Sequence, residues 1–339
     1  MERQELNRMF DRLAPTREQE EAVLDRLLHT ERKAVSMRKL NKWVVAGIAA
    51  ALMLMTCATA VVAGLDQRLM DFLGWGGQNQ ELLAPGALAA DVTVEDNGAV
   101  LHVSQVLMDR YNIMLLVDFT APEGTVLDES KAWKFNNMFD PMLELLDQEG
   151  ERIDSTKHVM SYWIRPLKDE DLLDNHLTLL IRMDFRDEGI QSDWEIASLF
   201  LPAKDLRGSG QEQGEEVYSG DWSCQIPITW QDMGRSIRTS QVSGQTDIPL
   251  SQVYLSPMTL QMQLEKHCLR DEDINQVTLT TKDGRSISAT LSGGWASMVG
   301  QFMVYRLDEI TDPAQFRSIT LSNREDEVVF SLDGPVPAE

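Results

Sequence analysis

The side chains that most often carry chemistry, histidine and cysteine, are few and widely separated in this 339-residue sequence. None has a companion at the H-x-x-x-H or C-x-x-C spacing typical of metal sites. The sequence also lacks a phosphate-binding glycine loop, a G-x-S-x-G nucleophile turn and a catalytic cysteine motif. It therefore predicts no enzyme, no metal site and no cofactor. The histidines are His29, His102, His158, His176 and His267.

Two carboxylate clusters offer a second kind of chemistry, weak calcium binding. They are Asp169-Glu170-Asp171 and Asp271-Glu272-Asp273. Neither has the spaced ligands and the glycine of a calcium-binding loop. Solvated turns are the favoured interpretation of both clusters.

The number of cysteines limits the disulfides that this chain can form. Cys57 lies in an apolar run and is interpreted as a small apolar residue. Cys224 and Cys268 remain for the rest of the chain, so at most one intramolecular disulfide is available there. Whether they pair depends on their Cα separation, and both alternatives stay open.

The element that organises the chain is an uncharged run of 23 residues, Trp43–Leu65. As a helix it would be about 34 Å long, enough to cross a hydrocarbon core of about 30 Å. Five basic residues between Arg32 and Lys42 precede it, whereas Asp66, Arg68 and Asp71 follow it. The positive-inside rule then predicts a single-pass protein of the cell membrane, with residues 1–42 cytoplasmic and the C-terminal domains extracellular.

A cleaved signal peptide and a lipoprotein signal are the two alternatives to an anchor. A cleaved signal peptide could use Ala58-Thr59-Ala60 as its cleavage site, but a segment of 42 residues is far too long for a basic n-region. The run Leu54-Met55-Thr56-Cys57 faintly resembles a lipoprotein cleavage box, yet the apolar run continues past Cys57. A retained membrane-spanning helix is the favoured interpretation.

The cytoplasmic tail has two apolar stripes at helical spacing, separated by Pro15. Thr16 and Gln19 have the form of a capping box that opens the second helix. Helices this short have no core of their own, so their apolar faces require a partner. That partner is a protein, a second copy, the other helix or the membrane surface. The stripes consist of Leu6, Met9, Phe10, Leu13, Val23, Leu24, Leu27 and Leu28.

Charge divides unevenly along the chain. Residues 1–42 have a net charge of +2, whereas residues 43–339 have a net charge of −25. A field of that sign repels nucleic acid and anionic lipid headgroups and favours solubility, so no nucleic-acid partner is predicted. A solvated acidic surface is favoured over a site for cationic partners.

The exterior part has short β-type runs separated by turn residues, and the predicted fold class is mainly β with two immunoglobulin-like β-sandwich domains. Asp96-Asn97-Gly98 and Lys282-Asp283-Gly284 are hairpin signals. The predicted organisation is tail 1–42, transmembrane helix 43–65, juxtamembrane stalk 66–90, first sandwich 91–205, linker 206–216, second sandwich 217–333 and C-terminal tail 334–339.

Several segments resemble a family of single-pass Gram-positive (Firmicutes) membrane proteins with an extracytoplasmic domain of unknown function. The segments include LLAPGALAADVTVEDNGAVLHVSQVLMDRYNIMLLVDF, YSGDWSCQIPITW, VYLSPMTLQMQLE and FMVYRLDEITDPAQFRSITL. The marks within them are Gly220 to Trp222, Ser256-Pro257 and Asp308 to Thr311. The resemblance implies an anti-sigma-factor-like role, in which the exterior part reports on the envelope and the tail holds an extracytoplasmic-function sigma factor. It implies no catalytic residue.

Two functions follow as expectations. The first is a membrane-anchored extracytoplasmic sensor or regulator whose tail stripes bind a sigma factor. The alternative is an extracellular binding or scaffold module that contacts wall polymer, peptide or protein, with no signalling role. In both, the lipid bilayer is a partner through one helix, and the envelope ligand is unknown.

Overall fold

The computed structural model describes residues 65–335 except 77, 136–142, 168–172, 192, 210–215, 245–247, 266–275, 297–299 and 324–325. The predicted tail and residues 43–64 of the predicted span lie outside the described residues. Within the described ranges, no helix is both long enough and apolar enough to cross a bilayer. The transmembrane helix of residues 43–65 stays a prediction.

The first part of the described chain is built on a five-stranded antiparallel sheet in the order β1-β2-β3-β9-β7. We call it the central sheet. Its strands are β1 (Ala87–Asp96), β2 (Ala99–Met108), β3 (Asn112–Thr120), β7 (Val159–Leu167) and β9 (His176–Phe185).

Two three-stranded sheets share a core with one face of the central sheet, in the orders β12-β11-β5 and β13-β10-β6. A further short pair joins β4 to β8. Together these strands form a β-sandwich. The remaining strands are β4 (Leu127–Asp128), β5 (Ala132–Phe135), β6 (Glu144–Leu146), β8 (Leu173–Asp174), β10 (Ser198–Leu201), β11 (Lys204–Ser209), β12 (Glu216–Asp221) and β13 (Cys224–Pro227).

The β1–β2 hairpin follows the local turn rule. Asp96 pairs with Ala99, and the turn residues Asn97 and Gly98 have φ values of 47° and 76°. Positive φ at both central positions is typical of a type I′ turn and favours the Asn-Gly dipeptide. The hairpin predicted at Asp96-Asn97-Gly98 is therefore confirmed.

Strand β3 is continuously apolar from Ile113 to Val117 because both faces of the central sheet are covered. Ile113 and Leu115 belong to the sandwich core. Met114 and Leu116 belong to a second core on the opposite face. Burial on both faces explains the continuous apolar run, since a half-exposed strand would alternate with polar residues.

A short helix, α1 (Gln67–Leu73), covers this opposite face and buries Leu69, Met70 and Leu73. The Asp66 side chain caps the helix start by accepting a hydrogen bond from the Arg68 backbone. Gly74 ends the helix in the left-handed conformation with φ of 72°. Short 3₁₀ helices lie at Gln80–Gly86, Thr156–His158 and Pro313–Gln315.

The last eight strands form a closed antiparallel barrel in the order β14-β15-β16-β19-β18-β17-β20-β21. Its apolar core is separate from that of the sandwich. The strands are β14 (Arg235–Ser243), β15 (Gln252–Leu255), β16 (Thr259–Glu265), β17 (Gln276–Thr281), β18 (Ser286–Ala296), β19 (Gly300–Leu307), β20 (Phe316–Ser322) and β21 (Glu327–Pro335). The turn predicted at Lys282-Asp283-Gly284 joins β17 to β18 and is confirmed.

The mainly-β prediction is confirmed, whereas the immunoglobulin-like character of the two domains is not. In place of a second sandwich, residues 235–335 form one closed sheet in which β14 pairs with β21. Closure removes the edge strands that two separate sheets would have left exposed. The strand runs themselves do not distinguish these two outcomes.

The strand pairing also crosses the predicted domain boundaries. Residues 206–209 of the predicted linker lie in β11, and residues 216–227 form β12 and β13, which pair with β11 and β10 of the sandwich. Gly208 lies against the Trp133 ring, where an added Cβ would be 2.9 Å from ring carbons. The glycine therefore serves close packing here instead of linker flexibility. The predicted stalk, residues 66–90, contains α1 and the start of β1.

Candidate functional site

The eight tail residues predicted to bind a partner lie outside the described residues, so the structure adds nothing to that prediction. Cys224 is buried on β13, and burial raises the pKa of its thiol to about 11. Cys268 lies outside the described residues, so the disulfide stays open. No cluster of three or more metal-binding side chains occurs in the described part of the chain.

A cleft of about 1040 Å³ lies among the described residues. We call it the barrel cleft. One side is formed by β14, β15 and β16 together with residues 248–251. The other is formed by the Arg110-Tyr111 turn and by residues that follow β9, namely Asp187, Glu188, Ile190, Gln191 and Asp193. Much of the lining carries amide or hydroxyl groups, from Ser236, Thr239, Ser240, Gln241, Ser251, Gln252, Gln261 and Gln263.

The alternation of β16 explains why glutamines line this cleft. Leu260, Met262 and Leu264 belong to the barrel core. Gln261 and Gln263 occupy the intervening positions and line the cleft outside the barrel. Because successive side chains of a strand point to opposite faces, one strand supplies both the apolar interior and the polar cleft wall.

Gln261 is the most deeply placed of the cleft amides. Its exposed fraction is 6 %, and its side chain has no hydrogen-bond partner among the described residues. An amide offers two N–H donors and one carbonyl acceptor. The amide atoms are not among the fully buried unpaired atoms of the described residues, so they reach the solvent of the cleft and can bond a ligand that enters it.

Carboxylates dominate the sandwich side of the cleft. Asp187, Glu188 and Asp193 line it and are exposed. Asp187 lies 3.6 Å from the Arg186 guanidinium. Glu188 and Asp193 have no cationic partner within the described ranges. The rim therefore presents negative charge to whatever enters.

Arg110 is the cationic side chain of the cleft lining, and its charge is matched locally. Its guanidinium lies 3.0 Å from Asp232. Tyr254 donates a hydrogen bond of 2.5 Å from its hydroxyl to the same carboxylate. Burial, together with the charges of Asp109 and Asp232, raises the pKa of Tyr254 well above its ordinary value. The Tyr254 hydroxyl therefore remains a neutral donor.

A glycine permits this arrangement. A Cβ added to Gly234 would lie 2.2 Å from Cζ and from the hydroxyl oxygen of Tyr254. Only a residue without a side chain allows the ring to pass so close to the backbone at the start of the barrel. The Tyr254 ring also packs edge-on against Tyr111, with the centroids 4.9 Å apart.

A buried polar network lies next to the cleft and joins the sandwich to the barrel. Asp109, fully buried after β2, accepts hydrogen bonds of 2.8 Å from the Tyr111 backbone and of 2.7 Å from the Ser256 hydroxyl. Asn112 donates a side-chain hydrogen bond of 2.9 Å to Thr259 in β16. Burial raises the pKa of Asp109, while hydrogen bonds from Ser256 and its other donors oppose that shift.

The network continues through Arg182 of β9, whose exposed fraction is 5 %. The Arg182 guanidinium donates to Asp184 at 2.7 Å and to the side-chain oxygen of Asn112. Asp184 in turn accepts a hydrogen bond of 2.5 Å from Ser161 in β7. The buried charges are thus paired and hydrogen-bonded, as stable burial of ions requires.

No family model and no curated protein matches the chain. Among solved structures, the conserved domain protein from Bacillus anthracis is similar at 12 % identity with a TM-score of 0.47, over 69 % of this chain and 76 % of that one. The N-terminal periplasmic domain of ScsB from Proteus mirabilis is similar at 10 % identity with a TM-score of 0.19, over 74 % of this chain and 100 % of that one. Likeness at these scores carries no argument about function.

Sequence reasoning did not identify the barrel cleft. The one available signal was the alternation of glutamine with apolar residues in β16, which indicates a polar outer face. Two of the marks noted in the sequence have structural roles. Ser256 bonds the buried Asp109, and the Trp222 indole donates hydrogen bonds of 3.2 Å to the backbone oxygens of Asp96 and Ala99.

Proposed function

We propose that this chain is a single-pass membrane-anchored regulator that binds a ligand in the barrel cleft and a sigma factor through its cytoplasmic tail. The observation that carries the proposal is the cleft itself, a large polar groove between the sandwich and the barrel. Ligand sites occur preferentially in such crevices between packed units. The function is therefore binding and signalling, with no catalytic step.

The position of the cleft supports a signalling role. Arg110 belongs to the sandwich, and its partners Asp232 and Tyr254 lie in the segment that leads into the barrel and in the barrel itself. A ligand that touches both sides favours the arrangement of the two that it fits best. Binding can in this way bias how the sandwich and the barrel are packed.

The connection toward the predicted span supports the same role. Asp66 follows that span directly, and its backbone N–H donates a 3.0 Å hydrogen bond to Gln105 of β2. Arg68 forms an ion pair of 2.6 Å with Asp118 of β3. The segment that follows the predicted span is thus bonded directly to the central sheet. A conformational change in the sheet would therefore act on residues that adjoin the membrane.

The alternative function, an exterior binding or scaffold module with no signalling role, uses the same cleft. The two differ in what the tail does. Deleting residues 2–36 removes both amphipathic stripes and leaves the basic residues Arg38, Lys39 and Lys42. The regulator predicts altered transcription in cells that carry this deletion, because a sigma factor is no longer held.

A variant that fills the barrel cleft tests whether the ligand site is needed for the response. Gln252 is exposed on β15 and lines the cleft, so Gln252→Trp fills space without entering the barrel core. We expect a sigma-dependent reporter in these cells to stop responding to envelope stress. The control is Gln276→Trp, at an exposed position of β17 that does not line the cleft. Unchanged transcription in both the deletion and Gln252→Trp strains would contradict the regulatory function. The binding or scaffold function would then be the remaining proposal.

A further inference from the structure

We propose that the barrel cleft binds an extended peptide with a cationic side chain, whose backbone amide pairs with Gln261 and whose cation faces Glu188 and Asp193. This inference deepens the proposed function and rests on it, because it names the ligand class of the same cleft. Two independent features carry it: a deeply placed amide that lines the cleft without a partner among the described residues, and carboxylates that have no cation within the described ranges.

Gln261 supplies the hydrogen-bonding half of the site. The residue is 6 % exposed, lines the cleft and has no side-chain hydrogen bond to any described residue. A primary amide can donate to one peptide carbonyl and accept from one peptide N–H. A peptide backbone offers both groups close together, so one side chain can be satisfied by one residue of the ligand. Gln263, two positions along the same strand face, extends this surface.

The barrel wall excludes the commonest mode of peptide recognition. β16 is paired on both sides, with β15 and with β19, so its backbone groups are already used in the barrel. A ligand cannot add to it as a further strand. Recognition must come from side chains, which explains why amides and hydroxyls are concentrated on this face.

The carboxylates on the rim of the barrel cleft favour a ligand with a cationic side chain. Glu188 and Asp193 are exposed on the sandwich side without a cationic partner among the described residues. The guanidinium of Arg110 does not oppose them, because Asp232 lies 3.0 Å from it. A lysine or arginine side chain of the ligand would meet an unbalanced negative rim. This attraction is expected to weaken as salt is added, since both carboxylates are solvent-exposed.

The aromatic residues of the lining disfavour a glycan. Tyr111, Tyr254 and Phe330 are all at most 5 % exposed, so none presents a ring face on which a sugar could stack. The cleft volume of about 1040 Å³ lies at the upper end of the range for small-molecule sites. It therefore suits a chain of several residues better than a single small molecule.

Titration calorimetry on the full chain in detergent at low salt tests the inference. The probes are the end-capped peptides Ala-Lys-Ala-Lys-Ala and Ala-Glu-Ala-Glu-Ala, with chitotriose as the glycan. We expect the lysine peptide to bind at least about tenfold more tightly than the glutamate peptide. Gln261→Leu should weaken binding of the lysine peptide by about five- to tenfold, the range for a lost hydrogen bond. Gln276→Leu, an exposed glutamine of β17, should not change it.

A double variant, Glu188→Gln with Asp193→Asn, tests the role of the carboxylates. It should remove the preference for the lysine peptide over the glutamate peptide. Thermal unfolding of every variant verifies that it is folded. Equal binding of the two peptides by the parent chain, or unchanged affinity in Gln261→Leu, would overturn the inference. Binding of chitotriose alone, or of no probe, would also overturn it. Each of these results leaves the proposed function standing, because the tail deletion tests regulation without reference to ligand class.

Discussion

The indole Nε1 of Trp75 donates a hydrogen bond to the carbonyl oxygen of Leu307 across 2.8 Å, although 232 residues separate them in the chain. The bond joins the segment after α1 to the end of β19 in the barrel. Trp75 is 2 % exposed, and it packs in the core that α1 shares with the central sheet. The segment next to the predicted span is thus hydrogen-bonded to the barrel and packed against the central sheet.

Trp75→Phe tests how much the hydrogen bond between Trp75 and Leu307 stabilises the protein. The variant keeps an aromatic ring but leaves the Leu307 carbonyl buried without its donor, so the free energy of unfolding should fall by about 1–3 kcal/mol. Chemical denaturation measures it. The control is Trp230→Phe, at a half-buried indole that packs on the sandwich core and has no hydrogen bond among the described residues. An equal loss in both variants would mean that ring size, not the hydrogen bond, is responsible.

Ser256→Ala tests the buried network between sandwich and barrel. The Ser256 hydroxyl donates to Asp109 and accepts from the Thr259 backbone at 2.9 Å, so removing it should destabilise the protein by about 2–4 kcal/mol. Burial raises the pKa of Asp109, and the Ser256 hydrogen bond favours the ionised carboxylate. The loss should therefore be larger above the raised pKa of Asp109, where that carboxylate is ionised, than below it.

The matched control for this comparison is Ser288→Ala, at an exposed serine of β18, where the change should stay within about 0.5 kcal/mol. Denaturation curves of both variants and the parent chain, measured at intervals from pH 4 to pH 9, provide the comparison. A loss for Ser256→Ala that is larger at the acid end of this range would contradict the role assigned to the hydroxyl.

Local chemistry made part of the fold predictable. Turn residues such as Asn97 and Gly98 determine a hairpin through backbone conformations that neighbouring residues alone decide. Barrel closure is different, because it depends on pairing between strands that are far apart in the sequence. β14 pairs with β21, and Ile237 lies opposite Pro335. Short alternating runs are compatible with either a sandwich or a barrel, so long-range pairing was not accessible from the sequence.

The candidate site was less predictable than the fold, because its important groups are ordinary residue types. Gln261 is distinguished by its burial and its lack of a partner, and neither property can be read from a single sequence. Asp109 likewise resembles any aspartate beside a turn until Ser256, 147 residues later, is packed against it. The tail residues Leu6 to Leu28 remain a prediction from periodicity alone.

His176→Gln tests the pH dependence of the central sheet. His176 lies 3.3 Å from Asp118, and this contact raises the pKa of His176. Burial raises the pKa of Asp118, but hydrogen bonds from His176, Arg68 and Thr178 outweigh it and hold that pKa below its ordinary value. The carboxylate therefore stays ionised at pH 5, where the imidazole is protonated.

A histidine pKa that is higher in the folded state contributes stability below the unfolded value of about 6.5, and this contribution is lost as pH rises through the folded pKa. His176→Gln should therefore reduce the free energy of unfolding by about 0.5–1 kcal/mol more at pH 5 than at pH 9. His102→Gln is the control, because its partner Asp91 is 91 % exposed and solvent screens that pair. A larger loss for His176→Gln at pH 9 would reverse the sign and contradict the assignment.

Gly234→Ala tests whether the wall of the barrel cleft depends on close approach of backbone and ring. An added Cβ would lie 2.2 Å from Tyr254, so the ring must move away from Asp232 and its hydrogen bond is lost. We expect a loss of about 2–4 kcal/mol in the free energy of unfolding, as for overpacking combined with a broken buried hydrogen bond. Gly76→Ala is the matched control, since nothing lies within 4 Å of its added Cβ. That variant should be neutral or more stable by up to about 1 kcal/mol, because alanine restricts the unfolded chain. If both variants unfold at the same denaturant concentration as the parent chain, the contact between Gly234 and Tyr254 does not shape the cleft.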